Sequence, residues 1–289
     1  MNRGGGYTIV ETMIFLAVTG VLLISAMSLM SGRQASVQFS QAVTDAQSRM
    51  QDIIGQVATG YVPPANYKCK VDNPGNAASK PSFDIATTSQ QGSSDACVFL
   101  GKAVVFNDGD DGGQASIMSI AARRLNSSGR EVSSLAEARP VPISKLSSVD
   151  TQPDTTENFT FDFGVHITRI VALDKDGIAI EKYGTILFLS TLPKYQSLTS
   201  TLASGAQRVS FAGIKNSLTT DDQYQAATKL VAFDESGVTI NPAGGIVICL
   251  ADAPLADAKR KAMLKIGEGA AQTSVTLDVG GYDSRICEQ

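Results

Sequence analysis

The chain has 289 residues, 43% of them hydrophobic, and a net charge of -4. That length and apolar content allow a membrane segment plus one fair-sized globular domain, in one lobe or two, and the mild acidity excludes a general nucleic-acid surface. Aromatic residues make up only 6%, Trp is absent, and Gly, Ser and Thr are abundant, as in secreted β-rich proteins with many turns.

The N-terminus reads Met1-Asn2-Arg3-Gly4-Gly5-Gly6-Tyr7-Thr8-Ile9-Val10-Glu11, and no side chain from Thr12 to Gly32 is charged. The uncharged stretch is long enough to cross a bilayer. Glu11 stands at its head with no neutralising charge beside it in the sequence. A carboxylate deep in such a span costs roughly 2.5–3.5 kcal/mol, so it needs a function and a partner. A secretory signal peptide accommodates Arg3 and the apolar run, but Glu11 falls where the apolar region should begin, and the run continues past Ala26 and Met30 without a good cut site. An ordinary single-span anchor fits the length and leaves Glu11 unexplained.

Gly6-Tyr7-Thr8-Ile9-Val10-Glu11 resembles the processing motif of type IV prepilins and the related pseudopilins. In that family a short basic leader ends in Gly, an aromatic residue follows, Glu stands five positions past the cut, and about twenty apolar residues come after it. Tyr7 replaces the commoner Phe, Val10 replaces Ile or Leu, and the six-residue leader resembles the short-leader class. The resemblance implies cleavage between Gly6 and Tyr7 by a membrane prepilin peptidase, which also N-methylates Tyr7. Gly6, without a side chain, suits a protease approaching backbone at a membrane surface. The family's filament sets the new Tyr7 ammonium beside the glutamate of a neighbouring subunit. Glu11 would thereby fix subunit register, because a buried charge left unpaired is strongly disfavoured.

Past Arg33 the pattern turns amphipathic, with Val43, Ala46, Met50, Ile53 or Ile54, and Val57 at helical spacing between Gln41, Asp45, Gln47, Gln51 and Asp52. The helix is expected to run to about Thr59, stopped by Gly60 and Pro63-Pro64. From Tyr7 that is a rod of roughly 80 Å, similar to the pilin spine. Gly20 and Gly32 are its flexible points, and Ser28 stands near where the family often has proline. The Met50–Val57 stripe reads as core packing.

The four cysteines, Cys69, Cys97, Cys249 and Cys287, form no CxxC pair, and His166 is the single histidine, so a zinc site is not expected. They allow three disulfide pairings. The local one, Cys69–Cys97 with Cys249–Cys287, would close two loops in separate regions, each worth roughly 3–4 kcal/mol on chain-entropy grounds. Bridges imply an oxidising, extracytoplasmic compartment; four buried thiols are the alternative.

Residues 69–95 read as a long loop. Strand-like runs follow at Val98–Phe106, Ser116–Ala121, Phe159–Leu173, Ile178–Leu189, Leu230–Asp234, Val238–Ile240, Gly245–Leu250 and Thr273–Val279, with Asp174-Lys175-Asp176-Gly177 a hairpin signal. Asn126–Glu157 is polar and proline-punctuated, an inter-lobe link or a long insertion. The stretch 231–249, with its Gly-Ile-Val-Ile-Cys run and a second cysteine at Cys287, is similar to the tail of H-type minor pseudopilins; by that likeness Leu255–Leu264 is an edge strand rather than a short helix.

Chemistry is sparse. Asp108-Gly109-Asp110-Asp111-Gly112 clusters carboxylates but lacks EF-hand spacing, and reads as a solvated hairpin turn. His166 lacks the nucleophile elbow of a hydrolase triad. Arg123-Arg124 and Lys259-Arg260-Lys261 read as solvated faces rather than a DNA-uptake surface. No Walker A loop or dinucleotide fingerprint occurs, so neither an enzyme nor a cofactor is expected.

The expected fold is α+β: leader 1–6, helix 7–60 with a membrane span about 12–32, and an extracytoplasmic antiparallel β head over 61–289, in one or two lobes with a link near 126–157. The expected function is a minor pilin or pseudopilin drawn from the cytoplasmic membrane. Its partners would be the peptidase and methyltransferase, other pilin subunits and an assembly platform. A major pilin, an adhesive tip subunit and a membrane-anchored extracellular binding domain are the alternatives.

Overall fold

The computed structural model describes residues 8–61, 67–85, 96–109, 112–145, 153–190, 209–214, 238–240, 242–253, 258–267, 274–279 and 282–288. It is α+β, with an N-terminal apolar helix and antiparallel sheets. Helix α1 spans Ile9–Thr59. It ends where Gly60 takes a positive φ of 68° and donates to the Val57 carbonyl, the glycine stop expected at a helix C-terminus.

Residues Met1–Gln41 and Ala42–Gln289 form two compact units. In the second, the last turns of α1 pack on the head. Ala42, Val43, Ala46, Met50, Ile53, Ile54 and Val57 are all buried, the three-and-four spacing of one helix face. Gln47 and Gln51 both donate to the carbonyl of Val275, at 2.9 and 3.3 Å.

The head carries fourteen strands among the described residues. The first two, β1 (Tyr67–Val71) and β2 (Pro81–Ile85), pair as a hairpin. A seven-stranded sheet is built on β3 (Cys97–Gly109) and β4 (Gly112–Arg123), which pair along nearly their whole length. The other edge of β4 takes β5 (Val141–Pro142) and β6 (Glu157–Thr160). Beyond β3 lie β9 (Thr185–Ser190), β10 (Val209–Ile214) and β11 (Val238–Ile240). A five-stranded sheet contains β7 (His166–Leu173), β8 (Ala179–Lys182), β12 (Ile246–Ala251), β13 (Lys261–Ile266) and β14 (Val275–Val279), in the order β14-β13-β12-β7-β8. Every pairing is antiparallel.

The expected run Ile178–Leu189 divides between the sheets. Tyr183 donates its N–H to Ile170 of β7, and the Gly184 carbonyl accepts from Phe106 of β3, both at 2.9 Å. Two residues thus carry the chain from one sheet to the other. The run Phe159–Leu173 is likewise interrupted, at Asp162–Gly164, where Phe163 turns left-handed with φ 56°. Within 126–157 the described residues form helix α2 (Leu135–Ala138), β5 and the first residue of β6, and bury Val132, Leu135, Ala138 and Ile143. Val132, Leu135 and Ala138 pack on the seven-stranded sheet. Strand β13 begins only at Lys261 and lies between β12 and β14, an interior strand where an edge strand is expected; residues 254–257 lie outside the described ones, as do Leu230–Asp234.

Gly101 and Gly267 are among the glycines that permit close approaches. Gly101, at φ 154°, sits at the β3 bulge, where a Cβ would overlap the Phe188 carbonyl of β9. Gly267, at φ 77°, ends β13, and a Cβ there would enter the Phe211 ring of β10, so the two sheets meet at this point.

Replacing Met50, fully buried on α1, should cost about 2–5 kcal/mol as Met50→Ala. Leu22→Ala, at a side chain that is 64% exposed, should leave the head unchanged. Denaturant unfolding of the full chain in detergent checks both, and an unshifted midpoint for Met50→Ala would contradict the packing of α1 on the head.

Candidate functional site

The first turn of α1 is built by its own sequence. Thr8 precedes the first helical residue, and its Oγ1 accepts from the Glu11 N–H at 3.3 Å while its carbonyl accepts at 3.0 Å. Thr8-Ile9-Val10-Glu11 therefore has the spacing and the first half of a capping box, with Glu11 at the third helical position. A carboxylate there also faces the positive end of the helix dipole. Glu11 thus gains a local electrostatic partner that the bare sequence does not reveal, the peptide dipoles of its own helix.

From Ile9 to Met27 α1 is long and apolar enough to cross a membrane, and none of this segment is buried. Its hydroxyls turn inward to the backbone: Thr12 donates to Ile9, Thr19 to Phe15 and Leu16, and Ser25 to Val21, at 2.8–3.1 Å. A helix that satisfies its own polar groups in this way suits a medium without water. Gly6 and Tyr7 lie outside the described residues, and the side chains of Ser28 and Gly32 are not described.

A second constellation joins the far end of α1 to the head. Lys102 lies in β3, between apolar neighbours, and is 1% exposed. Its Nζ contacts Gln56 Oε1, stands 3.8 Å from Glu157 Oε1 of β6, and lies 6.0 Å from the Tyr61 ring centre. Arg49 pairs with the other Glu157 oxygen and lies 3.4 Å from Asp52, whose Oδ2 accepts from Gln56 Nε2 at 2.8 Å. Desolvation lowers the Lys102 pKa; Arg49 lowers it further, and Glu157 and Asp52 oppose the shift. Sequence reasoning missed this cluster: of its helix residues only Asp52 entered the amphipathic pattern, as one of the polar positions between the apolar ones. One signal for it exists, a lone lysine inside the otherwise apolar run Val98–Phe106.

The remaining expected sites resolve individually. The disulfides are Cys69–Cys97 and Cys249–Cys287. The first helps to bury Phe83, Ala121, Val141 and Ile143; the second ties β12 to the C-terminal helix α3 (Ser284–Cys287). Arg123 is not part of a solvated face. It is 1% exposed, and its guanidinium donates to the carbonyls of Leu125, Pro74, Asn76 and Ser79 at 2.6–3.4 Å, locking the β1–β2 turn. Arg139 adds a bond to Ala77. Arg124 stays half exposed, 4.0 Å from Glu131.

His166 is buried in β7 opposite Ala251. Asp110 and Asp111 of the acidic turn lie outside the described residues, and among the described residues no three His, Cys, Asp or Glu converge as a metal site. The basic run 259–261 is held by acids. Asp252 accepts from the N–H groups of Lys259 and Arg260 and pairs with the Arg260 guanidinium at 2.9 Å, and Lys261 reaches Glu288 at 2.7 Å over the Tyr282 ring.

Comparison with protein-family models, with curated proteins and with solved structures finds no match.

Burial opposes ionisation of Asp252, but those two backbone N–H groups and Arg260 outweigh it and hold its carboxyl below the ordinary 3.8. A depressed carboxyl contributes stability that is present above the ordinary value and lost as pH falls through the folded-state value. Asp252→Asn should therefore be less stable than the parent by about 1.5–3 kcal/mol at neutral pH. The two unfolding curves should converge as pH drops below 3.8; a gap independent of pH would exclude this role for the carboxylate.

Proposed function

We propose that this chain is a structural subunit, a minor pilin or pseudopilin, of a type IV pilus or type II secretion-like filament. The observation that carries the reading is the position of Glu11: a carboxylate in the first turn of an exposed apolar helix, five residues after the glycine of a Gly-aromatic pair. On this reading the prepilin peptidase cuts between Gly6 and Tyr7, Tyr7 is N-methylated, and the protein waits in the cytoplasmic membrane with its head outside. The two disulfides support an oxidising location for the head.

The physical logic is charge matching. A new ammonium at Tyr7 and the Glu11 carboxylate of a neighbouring subunit can enter an apolar helix bundle only together, since either alone is strongly penalised there. Thr8 caps the helix three residues before Glu11. The helix then serves in turn as membrane anchor and filament core, while the stripe from Ala42 to Val57 carries the head.

N-terminal sequencing and mass spectrometry of the mature protein test the reading: an N-methylated Tyr7 is expected, and an intact Met1 or a cut beyond Met30 overturns it. Glu11→Ala and Glu11→Gln separate the two roles of the carboxylate. Gln also serves at the third helical position of a capping box, so charge matching predicts that both variants insert in the membrane but fail to enter filaments. Normal assembly of Glu11→Gln would reduce Glu11 to a helix-start residue.

A further inference from the structure

We propose that Lys102 and Gln56 are the two halves of an intramolecular isopeptide bond, an ε-(γ-glutamyl)lysine cross-link that joins the last turns of α1 covalently to strand β3. The inference does not depend on the filament reading. Lys102 is the one lysine among the buried polar and charged residues described, and its amine rests on the side-chain amide of Gln56. The pairing puts a nucleophile against an acyl group inside the protein, where two reactants held in contact gain a large effective concentration.

The surrounding groups suit amide exchange. Desolvation favours the neutral amine, the form that can attack. Glu157 Oε1 stands 3.8 Å from Nζ, and a side-chain shift of under about 1 Å would bring it into the range in which it can take a proton as the new bond forms. Arg49 grips the other oxygen of Glu157 and orients that carboxylate. Asp52 Oδ2 holds the amide nitrogen of Gln56 at 2.8 Å, which fixes Oε1 towards the lysine.

The step balances without an oxidant or a second substrate. The Lys102 nitrogen bonds to Cδ of Gln56, and the Cδ–Nε2 bond breaks. Nζ gives up one proton to Glu157, the same proton is returned to Nε2, and ammonia leaves with Glu157 ionised again. Both disulfides lie within the head, so this bond would be a covalent tie between the helix and the sheet it packs on.

The test is a mass measurement and peptide map of the full-length protein purified in detergent. The expected result is an intact mass lower by one ammonia than the mature disulfide-bonded chain, together with a branched peptide joining the Gln56 and Lys102 segments. Separate linear peptides carrying unmodified Gln56 and Lys102 would overturn the proposal and leave an ordinary hydrogen bond. Lys102→Met should give the full mass; an ammonia loss that persists in it would place the loss elsewhere and also overturn the bond. Glu157→Gln, checked for an unchanged circular dichroism spectrum, should accumulate the unlinked chain, and linkage at the parental level in that variant would remove Glu157 from the reaction.

Discussion

Burial of one stripe of α1 organises the rest of this protein. Val43, Ala46, Met50, Ile53 and Val57 are almost completely withdrawn from solvent, and fully burying each larger side chain contributes roughly 1.5–3 kcal/mol. Once that stripe is set against the head, the rotation of the helix is determined, and so is the direction of every polar residue between the buried ones. Gln47 and Gln51 must meet β14, and Arg49 and Gln56 must meet β6 and β3. A helix turned by one residue would bring charges onto the stripe and leave Lys102 buried beneath apolar side chains, an arrangement of several kcal/mol penalty. The polar cluster therefore depends on the apolar packing and also specifies it.

How much of this is legible in the sequence depends on the range of the interactions involved. Helix α1 and its end at Thr59 are written locally, in a 3.6-residue period and a Gly60 stop, and the Asp174–Gly177 hairpin is written in its turn residues. Sheet membership is not local. Nothing in Ile178–Leu189 marks Tyr183-Gly184 as a crossing between sheets, because the strands that receive their hydrogen bonds, β7 and β3, are distant in sequence. The position of β13 inside its sheet is hidden for the same reason: interior and edge strands differ in their neighbours before they differ in composition.

Charged residues divide along the same line. Glu11 is legible as special because an apolar run makes any charge conspicuous, though its bond to the Thr8 cap emerges only with the helix built. Arg123 and Lys102 are not legible in kind. A sequence presents them as cations that belong in water, whereas the fold supplies the buried arginine with main-chain carbonyls from a turn more than forty residues away and the buried lysine with partners on two other elements. Such carbonyls leave no mark in residue types, so Arg123 reads like its exposed neighbour Arg124.

The glutamine pair on α1 has a consequence for solubility. Strand β14 ends the five-stranded sheet, and the open side of an edge strand is a template on which foreign strands can add. Gln47 and Gln51 converge on the carbonyl of Val275, its first residue, so the helix occupies a hydrogen-bonding position that a passing strand would otherwise use. The spine of the molecule is in this sense also its guard rail. While α1 stays docked, the first residue of that edge is already occupied.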